Sequence, residues 1–208
     1  LKQKSDIPVV FNDTGVEFPE TYDFVKRLEA EWGLNLVRLK PQTTFWEVVK
    51  KYGFPMLRGK YKPNSVSKDG KPMCCQLLKE KPIKRAAIRC SLTGVRASES
   101  RMRTFGIAQN GQIYFAKTLG RINAHPICFW TTEEVWAYHR KHGIPFNEIY
   151  NMGHDRCGCW PCTGYLGWKE HLAESHPKMY RMLSNMIGEP TLWEYDPDID
   201  NCKQMPVE

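Results

Sequence analysis

The sequence lacks a hydrophobic run long enough to cross a bilayer, and it has no charged-then-apolar leader of the kind that directs secretion. Internal repeats and low-complexity tracts are also missing from its 208 residues. The mean hydropathy is −0.54. These features argue against a membrane protein and predict one domain with a sizeable core.

A phosphate-binding loop of the form G-x-x-x-x-G-K-[ST] is absent, which excludes a Walker-type nucleotide site within this segment. Cysteine, by contrast, is plentiful, with eight residues. Without a secretory segment, this number is typical of metal or redox chemistry in a reducing compartment and not of a disulfide framework. We therefore expect a cytoplasmic protein.

Acidic residues are scarce in the middle of the chain, whose overall net charge is +7. Residues 50–103 contain fifteen lysines and arginines against Asp69, Glu80 and Glu99. Such a block is typical of a solvated surface, of a site for a phosphate-rich ligand, or of an interface with tRNA or DNA. The sequence leaves these three interpretations open, and it leaves the oligomeric state open as well.

Four cysteines form a C-C…C-x-x-C arrangement, namely Cys74, Cys75, Cys159 and Cys162. Four thiolates suit either a tetrahedral zinc ion or a [4Fe–4S] cluster. Adjacent residues cannot easily place both sulfurs at two corners around one ion, whereas a cubane offers each of them a separate iron. The adjacency favours the [4Fe–4S] cluster, with zinc as the alternative.

Other interpretations of these cysteines are two buried apolar thiols, a vicinal disulfide, or a dithiol redox pair. Cys157 precedes the second pair and is either a replacement ligand or a free thiol beside the site. Cys90 and Cys128 lie in apolar runs, so we expect both in the core.

Strand-like and helix-like patterns alternate along the chain. Short apolar runs predict strands at 7–11, 35–39 and 90–95. Helices are predicted from Pro19 to Gly33, after the capping boxes at Thr44 and Thr131, over 82–89, and in two stretches after Cys162 that Pro177 divides. This alternation predicts an α/β fold with a mostly parallel, twisted sheet and helices on both faces.

Polar residues follow two of the predicted strands, where open parallel sheets bind their ligands. Asp13, Thr14 and Gly15 follow the first strand. Gly94 and Arg96 follow the strand at 90–95, with Ser100 and Arg103 close behind. The guanidinium group of arginine can donate two parallel hydrogen bonds to phosphate or sulfate oxygens, so this second group is a candidate oxyanion clamp. Ordinary surface ion pairs are the alternative.

Five ordered motifs resemble those of the iron–sulfur phosphoadenylyl-sulfate and adenylyl-sulfate (PAPS and APS) reductases, within the PP-loop adenine-nucleotide alpha-hydrolase-like superfamily. The motifs are Val9–Gly15 with Phe18–Tyr22, Cys74-Cys75-x-x-x-Lys79-x-x-Pro82, Thr93–Arg96 with Glu99, Ser100 and Arg103, His125-Pro126 with Trp130–Trp136, and Ile144–Thr163. The resemblance covers about residues 7–165. It implies a nucleotide-binding domain over 1–165, extended by helices and an acidic tail over 166–208.

The resemblance further implies reduction of APS or PAPS to sulfite and an adenosine phosphate, with a thioredoxin-like reductant. Lys79 is then expected near the cluster and the sulfate, where it stabilises developing negative charge. Glu20 is expected to join the strand-end residues in binding the nucleotide.

Two departures from the family pattern leave the reaction open. The S-G-G-x-D-S phosphate loop is expected before the first strand and is absent from this segment. The reductases' terminal glutamate-cysteine-glycine is replaced by Asp200–Gln204, so Cys202 is only a displaced candidate nucleophile.

The alternative is an ATP-dependent sulfurtransferase of the same superfamily that modifies tRNA or DNA, with Cys157 as a persulfide carrier. A third interpretation is a metal-bearing binding module without activity.

Overall fold

The computed structural model describes residues 6–55, 66, 70–86, 88–165 and 167–188. These residues form two compact units. The first comprises the described parts of Leu1–Glu80 and Asn147–Glu208, and the second is Lys81–Phe146. This division does not test the predicted boundary between residues 165 and 166, which stays a prediction.

The first unit opens with two parallel strands joined by a helix. Strand β1 is Val9–Asn12, helix α1 is Pro19–Trp32 and strand β2 is Leu36–Leu39, with Val9 opposite Leu36. Proline at the first position starts α1, and Gly33 ends it in the left-handed conformation (φ 57°). Parallel pairing brings the carboxyl ends of both strands to one edge.

Helix α2, Phe45–Tyr52, follows β2 and begins with a complete capping box between Thr44 and Glu47. A further helical segment contains a π-helical turn, Cys75–Glu80. The rest of this unit contains a 3₁₀ turn, Glu148–Tyr150, and helices α6, Trp168–Ser175, and α7, Pro177–Ile187. The two helices are separated at Pro177, as the sequence predicts.

Two apolar clusters stabilise the first unit. One joins Phe18 and Ile149 to residues of α6 and α7, including the fully buried Leu172 and Leu183. The other, around Phe45 and Leu78, connects α2 to the π-helical turn. Both clusters flank the loop after β1.

The second unit contains a three-stranded sheet in the order β3-β5-β4. The strands are β3, Cys90–Leu92, β4, Ile113–Ala116, and β5, Arg121–Ala124; the helices are α3, Lys81–Arg85, α4, Arg101–Asn110, and α5, Thr132–His142. A 3₁₀ turn, Ala97–Glu99, precedes α4. Strand β5 is parallel to β3 and antiparallel to β4.

Of the two cysteines expected in the core, Cys128 is fully buried, but Cys90 is exposed. The expectation for Cys90 is wrong because its side chain lies in register with Ile122 and Phe115, on a sheet face that is itself exposed. Of the basic block at 50–103, residues 56–65, 67–69 and 87 lie outside the described residues. Among the described helices, none combines the length and the apolarity needed to span a membrane.

Candidate functional site

A cleft of about 410 Å³ lies beyond the carboxyl ends of β1 and β2, the position at which parallel sheets bind ligands. We call it the strand-end cleft. Its walls are the two loops that follow the strands and the first turn of α2. The lining residues are Asp13, Thr14, Gly15 and Val16 on one side, and residues 40–47 on the other.

Asp13 is held in place by its own loop and by α1. Its Oδ1 accepts hydrogen bonds from the Gly15 amide (3.0 Å) and from the Tyr22 hydroxyl (2.8 Å). Gly15 has a φ of +80°, a conformation that favours glycine. Burial, followed by the Asp13 hydrogen bond, raises the pKa of Tyr22 to about 12, so the hydroxyl remains a donor at neutral pH.

The four predicted ligand cysteines are brought together. Cys74, Cys75, Cys159 and Cys162 line one small pocket with Phe45, Pro55, Leu78 and Lys79. We call this the thiol pocket. Phe45 also lines the strand-end cleft, so the two cavities share a wall.

Local structure explains how each pair of cysteines reaches the pocket. The first pair lies at the start of the π-helical turn, where the Asn12 side chain donates to the Leu78 carbonyl (3.3 Å). Turns of this type often occur at functional sites. The second pair begins with Cys159, which forms an antiparallel bridge with Glu17. The Trp160 amide supports this bridge by donating to the Val16 carbonyl (3.0 Å).

The thiols differ in their readiness to ionise. The Cys74 thiol donates a hydrogen bond to Cys75, which raises the pKa of Cys74 and lowers that of Cys75; Lys79 further favours the Cys75 thiolate. Burial raises the pKa of Cys159 to about 11, against the opposing charge of Lys79. Burial of Lys79 lowers its pKa, but the negative charges of Cys159, Glu17 and Cys75 outweigh that effect, and the net shift is upward.

The donor set fits an iron–sulfur cluster in ligand type and number, since four thiols meet in a largely apolar pocket beside one lysine. The cavity among them is only about 20 Å³, so a cluster requires the sulfurs to separate. Within the described residues, no group of three or more His, Cys, Asp or Glu side chains is arranged to hold a metal ion. A four-coordinate zinc site is therefore not preformed either.

Glu17 is a functional candidate that the sequence analysis missed. Its Oε1 accepts a hydrogen bond from the Thr14 hydroxyl (2.7 Å) and lies 3.9 Å from the Cys159 sulfur. The Thr14 hydroxyl is also 3.5 Å from that sulfur. The local sequence does not indicate a role for Glu17, because its contact with Cys159 comes from a segment more than a hundred residues away.

The predicted oxyanion group lies wholly in the second unit. Arg96 pairs with Glu99 (3.5 Å) and donates to the Thr132 hydroxyl (3.2 Å), and Arg103 also pairs with Glu99. Ser100 caps α4 by accepting from the Arg103 amide (3.3 Å). Gly94 adjoins Thr93, whose hydroxyl lies 2.6 Å from His125 Nδ1. Both arginines therefore have a carboxylate partner that an anionic ligand would have to replace.

Glu20 does not line the strand-end cleft. Its Oε1 lies 3.2 Å from His176 Nε2, in a cluster that also contains His154, His171 and Ser175. We call this the histidine cluster. The predicted part of Glu20 in nucleotide binding stays a prediction.

Ser175 is the centre of the histidine cluster. Its hydroxyl donates to the His171 carbonyl (2.7 Å) and lies within hydrogen-bond distance of His154 Nε2 (2.7 Å) and His176 Nδ1 (2.9 Å). His176 therefore connects Ser175, at the end of α6, to Glu20 in the first turn of α1.

Of the two candidate nucleophiles, only Cys157 lies among the described residues. Cys157 is exposed and does not line the thiol pocket; its neighbours are Tyr150 and Asn147. Cys202 lies outside the described residues.

With this geometry established, comparison with known proteins identifies the family. Residues 1–165 match the phosphoadenosine phosphosulfate reductase domain. The chain belongs to this family. The match confirms the family that the five motifs predict.

Several curated proteins resemble the chain in sequence. It is 31% identical over 191 residues to an uncharacterized protein of Methanocaldococcus jannaschii, covering 88% of this chain and 36% of that protein. It is 32% identical over 164 residues to the adenosine 5'-phosphosulfate reductase of Bacillus mycoides (76% and 63%) and 34% identical over 160 residues to that of Streptomyces coelicolor (76% and 61%). The chain thus spans between 36% and 63% of these curated relatives.

A solved structure supports the fold. The PAPS reductase of Candida auris, crystallised as a phosphate complex, superposes with a TM-score of 0.55 at 26% identity, covering 76% of this chain and 72% of that one. The predicted α/β fold is therefore confirmed, with a parallel strand pair in each unit and an antiparallel β4 in the second.

Proposed function

We propose that the protein is an oxidoreductase that reduces adenylylated sulfate, APS or PAPS, to sulfite with release of an adenosine phosphate. The observation that carries the proposal is that the strand-end cleft adjoins the thiol pocket across Phe45, and that Lys79 lies in the thiol pocket beside four cysteines. A nucleotide in the cleft would place its sulfate near the Lys79 ammonium. Family membership supports the same reaction class.

The reaction begins with attack of a thiolate on the sulfate sulfur. The new S–S bond forms as the bond between that sulfur and the phosphate oxygen breaks, and the adenosine phosphate leaves with the electron pair. A thioredoxin-like dithiol then supplies two electrons, releasing sulfite and forming a disulfide. We assign the attacking thiolate to Cys202, with Cys157 as the alternative.

Each unit has its own candidate binding residues. In the first unit, Asp13, Thr14 and Gly15 border the nucleotide, and Lys79 stabilises negative charge that develops on the sulfate and the leaving group. In the second unit, taken by itself, Arg96 and Arg103 would exchange Glu99 for an anionic oxygen, with Gly94 and Ser100 shaping the turn.

Cys74, Cys75, Cys159 and Cys162 would hold a [4Fe–4S] cluster, with zinc as the competing occupant. When bound, the cluster supplies electrostatic stabilisation and fixes the pocket, without a required electron-transfer step. All the cysteines in the described residues are free thiols, which suits a cytoplasmic protein.

The test is an anaerobic assay of sulfite release from APS and PAPS with thioredoxin as reductant. We expect turnover with at least one substrate and its loss in Lys79→Ala. Cys202→Ser and Cys157→Ser distinguish the two candidate nucleophiles, because only one should prevent formation of the enzyme S-sulfonate. No sulfite from either substrate would contradict the proposal.

A second candidate is ATP-dependent sulfur transfer to tRNA or DNA, favoured by the basic residues between 50 and 103. When lysines and arginines neutralise several nucleic-acid phosphates, the affinity of the protein for the nucleic acid falls steeply as the salt concentration rises. Salt-sensitive tRNA binding, together with nucleic-acid-dependent cleavage of ATP, would support this reaction over the reductase.

A further inference from the structure

We propose that Glu17 is a positioning residue that connects the strand-end cleft to the thiol pocket and fixes the electrostatic setting of Lys79 and Cys159. The inference rests on the proposed function for its kinetic consequence, but its electrostatic consequence can be measured independently. It adds to the reductase site a carboxylate that neither the motifs nor composition indicate.

Contacts on both sides place Glu17 between the two cavities. Val16, its neighbour, lines the strand-end cleft, and its carbonyl accepts from the Trp160 amide (3.0 Å). The Glu17 backbone forms an antiparallel bridge with Cys159, which lines the thiol pocket. Its carboxylate therefore projects at the boundary, within 3.9 Å of the Cys159 sulfur.

Through the Thr14 hydroxyl, the hydrogen bonding of the Cys159 sulfur depends on the charge of Glu17. Thr14 is almost fully buried (2% exposed) and has one proton to donate. At 2.7 Å, Glu17 Oε1 receives that proton, while the Cys159 sulfur lies farther away, at 3.5 Å. The carboxylate thus withholds from the sulfur a hydrogen bond that Thr14 would otherwise make.

Lys79 is the cation of the thiol pocket, which it lines together with Cys75 and Cys159. A half-buried carboxylate at the edge of such a pocket is unfavourable unless a positive charge lies near it. Because Glu17 lies 3.9 Å from the Cys159 sulfur, we assign it as the carboxylate that offsets the charge of the Lys79 ammonium.

The experiment uses iron-loaded, anaerobically purified protein and three variants. Glu17→Gln keeps the shape but removes the charge, Glu17→Asp keeps the charge, and Asp23→Asn removes a carboxylate from the exposed face of α1 as the matched control. Two quantities are measured: kcat and KM for sulfite release, and the reduction potential of the cluster by spectroscopic titration.

For Glu17→Gln we expect kcat to fall about tenfold, equivalent to about 1.4 kcal/mol of transition-state stabilisation, with KM within about twofold. The reduction potential should become more positive, because a negative charge is removed and the Thr14 proton becomes available to the sulfur. Glu17→Asp should recover most of kcat, and Asp23→Asn should match the wild type in both measurements.

Unchanged kcat and potential in Glu17→Gln would overturn the proposal, as would a rise in KM alone. Equal losses in Glu17→Gln and Glu17→Asp, with reduced iron content, would show a purely structural role and overturn it too. If the wild type produces no sulfite, the proposed reductase function is wrong. The reduction potential of the cluster in Glu17→Gln still tests the role of Glu17 in that case. Protein that neither produces sulfite nor holds iron overturns both.

Discussion

The Tyr22–Asp13 hydrogen bond illustrates how much one side chain contributes to the strand-end cleft. We expect Tyr22→Phe to destabilise the protein by about 1 kcal/mol, because it removes one of the two hydrogen bonds that the half-buried Asp13 carboxylate accepts. Nucleotide affinity should fall with it, since Asp13 loses its fixed orientation. Urea unfolding and nucleotide titration measure both effects. Tyr138→Phe, on an exposed helix face, is the control, and an equal loss there would contradict the assignment.

The histidine cluster predicts how stability depends on pH. Burial, followed by the nearby His171 and His176, lowers the pKa of His154. Asp155 and Glu20 oppose that shift, but the neutral form remains favoured in the folded state. On acidification the unfolded chain therefore binds a proton first, and stability falls as pH drops below about 6.5, the ordinary histidine value.

His154→Gln keeps a donor toward Ser175 and removes the titration. We expect the decrease in Tm between pH 7.5 and pH 5.5 to be smaller in this variant than in the wild type. His142→Gln, at an exposed position on α5, should leave the slope unchanged. Parallel pH profiles for His154→Gln and the wild type would show that this imidazole does not control the transition.

At the residue level, the sequence identifies candidate ligand residues better than it identifies the contacts that these residues make. The four thiols and Lys79 could be named because spacing and motif mark them. Glu17 could not, since its significance depends on a bridge to Cys159 across the fold. The same holds for Glu20, whose motif predicts a nucleotide contact while its carboxylate lies 3.2 Å from His176, the residue between α6 and α7.

At the scale of elements, the capping box of α2 contributes one wall of the strand-end cleft. The Thr44 hydroxyl accepts from the Glu47 amide (3.2 Å), and Glu47 accepts from the Thr44 amide (2.8 Å). Thr44→Ala should cost about 1 kcal/mol in unfolding free energy and weaken nucleotide binding. Both quantities are accessible by urea unfolding and titration.

Helix α5 offers a matched control, because Thr131 and Glu134 form the same box in the second unit. Thr131→Ala should lower stability by a similar amount, without the loss of affinity attributed to the wall of the strand-end cleft. If both variants weakened binding equally, the effect would come from general destabilisation and not from the wall of the cleft.

Elements with explicit start and stop signals were predictable, and those formed by packing were not. Pro19 and Gly33 mark α1, and the two capping boxes mark α2 and α5. The π-helical turn has no local signal, so the helical placement of Cys75 was missed. Helix α4 was missed as well, because Met102 and Phe105 are exposed and leave no apolar stripe.

At the scale of the whole molecule, the thiol pocket joins two segments that lie far apart in the sequence. The first cysteine pair belongs to the π-helical turn and the second to the loop before α6. A metal group bound by both would tie these segments together and stabilise the folded state, because the unfolded chain cannot present the four thiolates together. The bridge between Glu17 and Cys159 holds only the second of these segments, against the loop after β1.

The decisive measurement is metal content together with thermal stability. We expect about four irons and four sulfides per chain, as for a [4Fe–4S] cluster. Cys74→Ala and Cys162→Ala should lose both and should lower Tm, as should removal of iron by a chelator. Cys90→Ala is the matched control, since this thiol is exposed and lies outside the thiol pocket. Stoichiometric zinc without sulfide would show that the pocket holds a single zinc ion and no cluster. Iron retained in Cys74→Ala would show that the iron binds outside the thiol pocket.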